Sequence, residues 1–344
     1  MMDQEIMNRL RRLGFSSYEA RVYVTLLKYG SLSSMDLVKA AKIPQPRLYD
    51  VMESLQAKGL VKVSRTKPLR VSLINPEIAL RDYLEGEYKA LTGLLDETLS
   101  LINTLTRRGV EELTEGAIWL VKGERGVLSE VKNLVLSTED ELLVFTYPDL
   151  FRRLASTQAV RSKLEGLSLC LIITDKTFEE MYKLVDELRY KPTFAPSLFI
   201  SDLKRAVIVK PSPNRENMFA YVVEDIEILS IIVEYYLGML ESSETLYENP
   251  ITWKQKTYRT LARVIGLFLK ARERGVPLVV EIEGFWVRDR RYEVVKGVLV
   301  DYKIDKLRNI TSIIVETDKY GRISVGGKGA IYEDFEGIRI KVIT

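Results

Sequence analysis

The first 75 residues are punctuated by helix start and stop signals more densely than any other part of the chain. Ile6, Leu10 and Leu13 recur at i, i+4 and i+7, and Gly14 ends that run. Ser16 and Glu19 have the S-x-x-E spacing of a capping box. Tyr23, Leu26 and Leu27 then supply an apolar face before Gly30. Ser33 and Asp36 repeat the start signal ahead of Leu37, Val38 and Ala41. A fourth helix is expected from Pro44, with Leu48, Val51, Met52 and Leu55 on one face and Gly59 just past its end. Val61 and Val63 alternate, as do Leu69, Val71 and Leu73, so a hairpin follows with the basic tip Arg65-Thr66-Lys67. Two short helices and a basic hairpin make a helix-turn-helix with a wing.

Charge agrees with that reading. Residues 1–75 hold 13 Lys/Arg and 6 Asp/Glu, a balance of +7, while the other 269 residues sum to −4. A basic head on a slightly acidic body implies a polyanion contact confined to the head. The N-terminus of the fourth helix would enter a DNA major groove with Gln45, Pro46 and Arg47 leading. Gln45 can pair with adenine and Arg47 with guanine through bidentate hydrogen bonds. Tyr49, Arg65, Lys67 and Arg70 are placed for phosphate or minor-groove contact.

From Pro76 to Thr106 there is no further proline. Leu84, Tyr88, Leu91, Leu95, Thr98, Ile102 and Leu105 follow a 4-3 spacing, which is a coiled-coil seam of about three heptads. Pairing two such helices gives a homodimer whose two heads would read a palindromic site. Arg107-Arg108-Gly109 closes the helix.

Beyond it, "AIWLV", "ELLVFTY", "LSLCLIIT", "SLFISDLKRAVIV" and "MFAYVV" read as strands. Helices are expected over Glu124–Leu136, over Pro148–Leu164, from the end of "LSLCLIIT" through Tyr190, and over Trp253–Arg274. This alternation predicts an α/β sheet with covering helices. From Val276 onward the pattern is strands joined by turns, an all-β subdomain. The resulting division is 1–75, 76–108, 109–275 and 276–344, a multidomain α/β chain.

Composition removes several chemistries. The 344 residues contain no histidine and one cysteine. Triads that need histidine and His-ligated zinc are excluded. Cys170 sits in an apolar run and has no second cysteine to pair with. Hydrophobic residues make up 46% and charged residues 29%, a globular composition without an uncharged apolar run of membrane-spanning length. Charged residues from Asp3 to Arg12 argue against a signal peptide, so a cytoplasmic protein with no membrane partner is expected. No metal site, no cofactor and no enzymatic activity are expected. A glycosidase needs two facing carboxylates, and the adjacent Glu333 and Asp334 would point to opposite faces of a strand.

The run Ile43-Pro44 through Tyr49-Asp50-Val51 to Lys58-Gly59-Leu60-Val61 resembles the winged-helix motif of the TrmB family of archaeal, sugar-responsive transcriptional regulators. "KGVLVD" (296–301), "NITSIIVET" (309–317) and "VGGKGAIYEDFEG" (325–337) resemble that family's sugar-binding C-terminal subdomain. The resemblance implies a homodimer on operator DNA, a phospholipase D-like fold in the middle without phospholipase activity, and a maltose-, maltodextrin- or sucrose-like effector. It maps the family's glycine and glutamate contacts onto Gly327 and Glu333, with Ile331 and Tyr332 beside them. Asn309 and Trp286 are further candidates, and another polar contact is expected between Leu229 and Ser243. The competing reading is an architectural protein that coats DNA with little sequence preference and no sugar response.

Overall fold

The computed structural model describes residues 2–64, 68–106, 117–176, 182, 184–210, 218–249, 255–305 and 310–343. The chain separates into two compact units, Met1–Leu113 and Thr114–Thr344.

The first unit opens with α1 (Met2–Arg12), α2 (Ser17–Tyr29), β1 (Leu32–Ser33), α3 (Ser34–Ala41) and α4 (Gln45–Ala57). The capping box forms in both directions: Ser16 Oγ accepts from the Glu19 N–H, and the Glu19 carboxylate accepts from the Ser16 N–H. Ser33 caps α3 in the same way by accepting from the Asp36 N–H. Gly59 follows α4 at φ +70°, a conformation that would strain any residue with a Cβ. The wing is β2 (Val61–Val63) against β3 (Arg70–Leu73), and β1 adds a third strand through Leu32↔Val71. Leu37, Leu55, Leu60 and Val71 are fully buried between helices and sheet.

The linker helix, α5 (Pro76–Thr106), is a single helix of 31 residues. Its first turns belong to the head, because Ala79, Leu80 and Tyr83 pack into the head's core. The packed unit therefore extends past the boundary expected at residue 75. Farther along, Tyr88, Leu91, Leu95 and Ile102 of the heptad seam are 46–70% exposed.

The second unit begins with an eight-stranded mixed sheet. In chain order its elements are β4 (Ile118–Lys122), α6 (Glu124–Ser137), β5 (Glu141–Thr146), α7 (Pro148–Leu154), α8 (Gln158–Gly166), β6 (Ser168–Ile173), β7 (Glu187–Tyr190), β8 (Ser197–Ser201), β9 (Arg205–Val209), β10 (Phe219–Val223), α9 (Ile226–Glu241) and β11 (Glu244–Glu248). The strands lie in the order β11-β7-β6-β5-β8-β9-β10-β4, parallel at β5/β6 and β6/β7 and antiparallel elsewhere. Two expectations are corrected. The helix over Pro148–Leu164 is two helices, interrupted at Ala155–Thr157. The helix expected to reach Tyr190 gives way to β7, whose backbone groups pair with β6 and whose Leu188 is fully buried. That partner is nonlocal, and its pull overrides local helix propensity.

The C-terminal sheet closes on itself. It comprises β12 (Thr257–Tyr258), β13 (Leu278–Trp286), β14 (Tyr292–Asp305), β15 (Ile310–Thr317), β16 (Gly321–Gly326) and β17 (Phe335–Val342). The strands β17-β13-β14-β15-β16 pair antiparallel in sequence, and a parallel contact of β16 with β17 completes the ring. This contact, through Val325↔Phe335 and Gly326↔Glu336, covers part of the edge that β16 would otherwise present. The helix α10 (Leu261–Glu273) is shorter than the span expected over Trp253–Arg274: β12 occupies Thr257–Tyr258, and Trp253 and Lys254 lie outside the described residues. Its Leu261, Val264, Ile265 and Phe268 share one core with Val280, Ile282, Ile313, Val315 and Val325. It therefore belongs with the β subdomain, not with the α/β layer that the division at residue 275 implies.

A buried ionic network joins the mixed sheet to α10 and the closed sheet. Arg263 donates to Glu141 Oε1 and Ser168 Oγ, both at 2.8 Å. The other Glu141 oxygen accepts from the Arg259 N–H at 2.9 Å and Thr260 Oγ1 at 2.6 Å. Asp140 pairs with Arg259 at 2.6 Å and with Arg339 at 2.7 Å. Burial alone would raise the Asp140 carboxyl, but hydrogen bonds from Arg339 and the charges of Arg259 and Arg339 outweigh it and hold the group below its ordinary range.

Candidate nucleic-acid interface and ligand loop

Helix α4 buries Leu48, Val51, Met52 and Leu55 and leaves Gln45, Pro46, Arg47, Tyr49 and Asp50 exposed. The sequence periodicity therefore sorts the helix correctly into a packed face and an outward face. Pro44 stands at the N-cap with no side-chain bond, Pro46 has no N–H, and the Arg47 N–H donates to the Pro44 carbonyl oxygen at 2.9 Å, so this helix end presents side chains and not a row of free N–H groups. Arg47 is 65% exposed and its only ion pair among the described residues is a loose 3.7 Å contact with Asp50. Such an exposed pair exchanges readily for another acceptor.

The wing residues divide. Arg65 and Lys67 lie outside the described residues. Arg70 is described, and its guanidinium donates to the Ser31 carbonyl oxygen at 3.0 Å. It braces the turn before β1 while remaining exposed. This use was not legible in the sequence, because β1 is only two residues long and gives no alternation to read.

The second candidate is the loop between β16 and β17, residues 327–334. Gly326 at its root has no room for a side chain: a Cβ there would stand 2.6 Å from Ala330 Cβ and 2.8 Å from the Glu333 carboxylate. The loop thus folds Glu333 back over a bare stretch of backbone. Among the described residues the Glu333 carboxylate accepts only a long 3.3 Å bond from the Tyr332 N–H. Gly327 lies beside the start of α10, with Leu261 at 3.7 Å from its would-be Cβ. Ile331 and Tyr332 are 70% and 71% exposed. A carboxylate with free acceptor sites, bare backbone and an exposed aromatic ring make a constellation suited to paired hydroxyls and a C–H face.

Two residues of this loop region escaped the sequence reading. Asp334 is no loose surface charge: its carboxylate accepts from Ser324 N–H at 2.9 Å and Ser324 Oγ at 2.7 Å, which staples the loop to β16. Glu336 is buried, accepts from the Gly329 N–H at 2.8 Å, and pairs with Arg290. Strand alternation does not announce its burial, because Phe335, Glu336 and Gly337 are all buried at the start of β17.

Of the remaining candidates, Trp286 pairs with Phe335 at the end of this loop. Trp286 donates from Nε1 to Glu293 at 2.7 Å and packs edge-on against Tyr320 and Phe335. Hydrogen bonds from Tyr320, Trp286 and Lys319 hold the Glu293 carboxyl at about 2. The indole N–H is thus committed within the subdomain. Asn309 lies outside the described residues. Between Leu229 and Ser243, Ser230, Ser242 and Ser243 donate to carbonyls of their own helix α9. Cys170 is fully buried in β6, and burial pushes its thiol up to about 12. At that value it is no nucleophile at neutral pH. Among the described residues no helix is long and apolar enough to cross a membrane.

Three family models match the chain in succession. Residues 10–77 match the sugar-specific transcriptional regulator TrmB, 117–247 match the EBD N-terminal subdomain of the transcriptional regulator TrmB, and 253–344 match the TrmB/TrmBL1 EBD C-terminal subdomain. Over its whole length the chain is 26% identical to the HTH-type sugar sensing transcriptional regulator TrmBL1 of Pyrococcus furiosus, with 98% of each chain covered. It is 27% identical over 134 residues to the DNA-binding HTH-type transcriptional repressor TrmBL2 of Thermococcus kodakarensis, covering 37% of this chain and 51% of that one. The solved structure of TrmBL2, an archaeal chromatin protein, aligns with 71% of this chain and 99% of its own at a TM-score of 0.50 and 18% identity, which is a likeness of fold. With its head, its mixed sheet and its closed β subdomain each matched in order, the chain belongs to the TrmB family.

Proposed function

We propose that this protein is a sequence-specific DNA-binding transcriptional regulator whose operator affinity is set by a small sugar of the maltose, maltodextrin or sucrose kind. The observation that carries the reading is the pairing, in one TrmB-family chain, of an outward-facing α4 with a loop whose carboxylate has no cation partner among the described residues. The exposed seam of α5 supports a homodimer through paired linker helices. The mixed sheet is read as a phospholipase D-like layer that carries no catalysis, consistent with the absence of histidine and the inert Cys170. The cytoplasm is the expected location. For the sugar to regulate, it must bind one arrangement of the two heads better than another, a coupling of typically 1–3 kcal/mol.

The test is fluorescence anisotropy of a labelled duplex from the gene's own upstream region, with a random duplex as control. Glucose, maltose, maltotriose and sucrose are added in turn at fixed salt. A sugar that shifts affinity for the specific duplex supports the reading. Equal affinity for both duplexes and no shift with any sugar would replace it with low-specificity DNA coating.

Two variants refine it. Arg47→Ala should lower discrimination by about 1–3 kcal/mol at one operator position, whereas Lys67→Ala should weaken all sequences alike and reduce the salt slope by about 1. Equal losses on specific and random DNA for Arg47→Ala would count against its base contact. Glu333→Ala should weaken the binding of the active sugar at least about tenfold, as expected for losing a charged acceptor worth about 1.5–3 kcal/mol. Affinity for DNA without sugar should stay as it was. Unchanged sugar affinity would remove Glu333 from the site.

A further inference from the structure

Lys58 ends α4 within the Lys58–Val61 run that carries the family motif, yet its side chain turns away from the outward face. Its ammonium donates to Glu19 Oε1 at 2.7 Å. Ser54, one turn earlier on α4, donates to the same oxygen at 2.5 Å. The other Glu19 oxygen accepts from the Ser16 N–H at 2.5 Å, so the cap of α2 and the end of α4 share one carboxylate. The Lys58 and Glu19 side chains are 20% and 5% exposed. Burial would raise the Glu19 carboxyl, but hydrogen bonds from Lys58, Ser54 and Ser16 outweigh it and keep the group ionised.

The same ammonium also stands 5.2 Å from the Phe15 ring centroid and 5.7 Å from that of Tyr83. Those rings meet edge to face at 5.9 Å. Tyr83 belongs to α5, and its hydroxyl oxygen lies 3.3 Å from where a Cβ on Gly14 would be. One cation thus touches the end of α4, the start of α2 and the linker helix.

We propose that Lys58 is a positioning residue that locks the DNA-reading helix α4 to the linker helix α5. The shared hydrogen bonds tolerate little change of length or angle and the cation–π contacts reach only about 6 Å, so small relative displacements are resisted. A shift of α5 is then delivered to Gln45 and Arg47 at the far end of α4 instead of being absorbed where the linker leaves the head. This rests on the reading that α4 contacts DNA.

The experiment uses the full chain and two variants. Lys58→Met keeps the apolar stem but loses the charge. Tyr83→Leu leaves every residue of α4 in place and removes the linker's side of the contact. Anisotropy on the upstream and random duplexes should show the ratio of their affinities falling about tenfold in each variant, with random-duplex affinity within about twofold of the original. Tyr83→Phe, which keeps the ring, should restore the ratio. Hydrogen exchange read by mass spectrometry should show faster exchange across residues 45–58 in Tyr83→Leu, with residues 34–41 little changed. An unchanged ratio with unchanged exchange would overturn the proposal, as would equal losses on both duplexes. If the unaltered protein does not discriminate between duplexes, the DNA reading fails by itself. Exchange at 45–58 then decides the coupling: acceleration sustains it and no change overturns it.

Discussion

Replacing Arg263 with methionine is expected to destabilise the second unit by about 3–5 kcal/mol at neutral pH, the usual cost of breaking a buried ion pair from one side. Arg263 is 4% exposed, and its partner Glu141, 1% exposed, would lose its guanidinium partner. Glu187, 3.8 Å from Arg263, would lose a second source of stabilisation. Burial pushes the Glu187 carboxyl up, and the charges of Arg263, Arg189 and Lys270 outweigh it to hold the group below its ordinary range. Its contribution to stability is therefore present above the unfolded carboxylate pKa and disappears as pH falls through the lowered folded value. Without Arg263 the burial effect gains weight, and the penalty falls on the ionised form. The difference between the two proteins should be largest at neutral pH and shrink on acidification. Urea unfolding followed by tryptophan fluorescence reads this directly, because all three tryptophans lie beyond residue 113. A loss below about 1 kcal/mol, or one that grows on acidification, would show that Arg263 does not hold Glu187 in its charged form.

Gly284→Ala should also destabilise the second unit, by a steric route. A Cβ at Gly284 would stand 1.9 Å from the Glu336 carbonyl oxygen and 2.8 Å from the Phe335 ring. The nearest obstacle is backbone, so β13 and β17 must separate where a register shift already sits between Glu283 and Gly284. Overpacking of this kind costs about 1–3 kcal/mol or more. The displaced segment includes Glu336, which holds the Gly329 N–H and so the ligand loop. Sugar binding should therefore be lost or cut at least tenfold while DNA affinity without sugar survives, since the head is a separate compact unit with its own core. Isothermal titration with the active sugar and anisotropy on the upstream duplex check both halves. Loss of DNA affinity alongside sugar affinity would show that the two units do not act separately.

The sequence was most informative where structure is decided locally. The Ser16/Glu19 and Ser33/Asp36 signals lie within four residues of the groups they satisfy, and both caps form. Alternation in 278–286 marked a strand whose buried and half-buried residues interleave. The basic head and the missing histidines needed only counting. The candidate ligand residues Gly327, Ile331, Tyr332 and Glu333 lie in one stretch, 327–333, and share one loop.

What the tertiary structure alone decided depends on partners far away in the chain. Residues 187–190 became a strand because β6 offered a parallel edge. Helix α10 joined the closed sheet because its apolar face matches that core. Trp286 was drawn to Glu293 and Tyr320, and Arg70 to Ser31, by neighbours that periodicity does not reveal. Lys58 shows the difference most plainly. Its place in the motif was visible in the sequence, but Glu19, Phe15 and Tyr83 surround it only after three helices have packed, because contacts across 25 to 43 residues follow from chain closure and not from spacing.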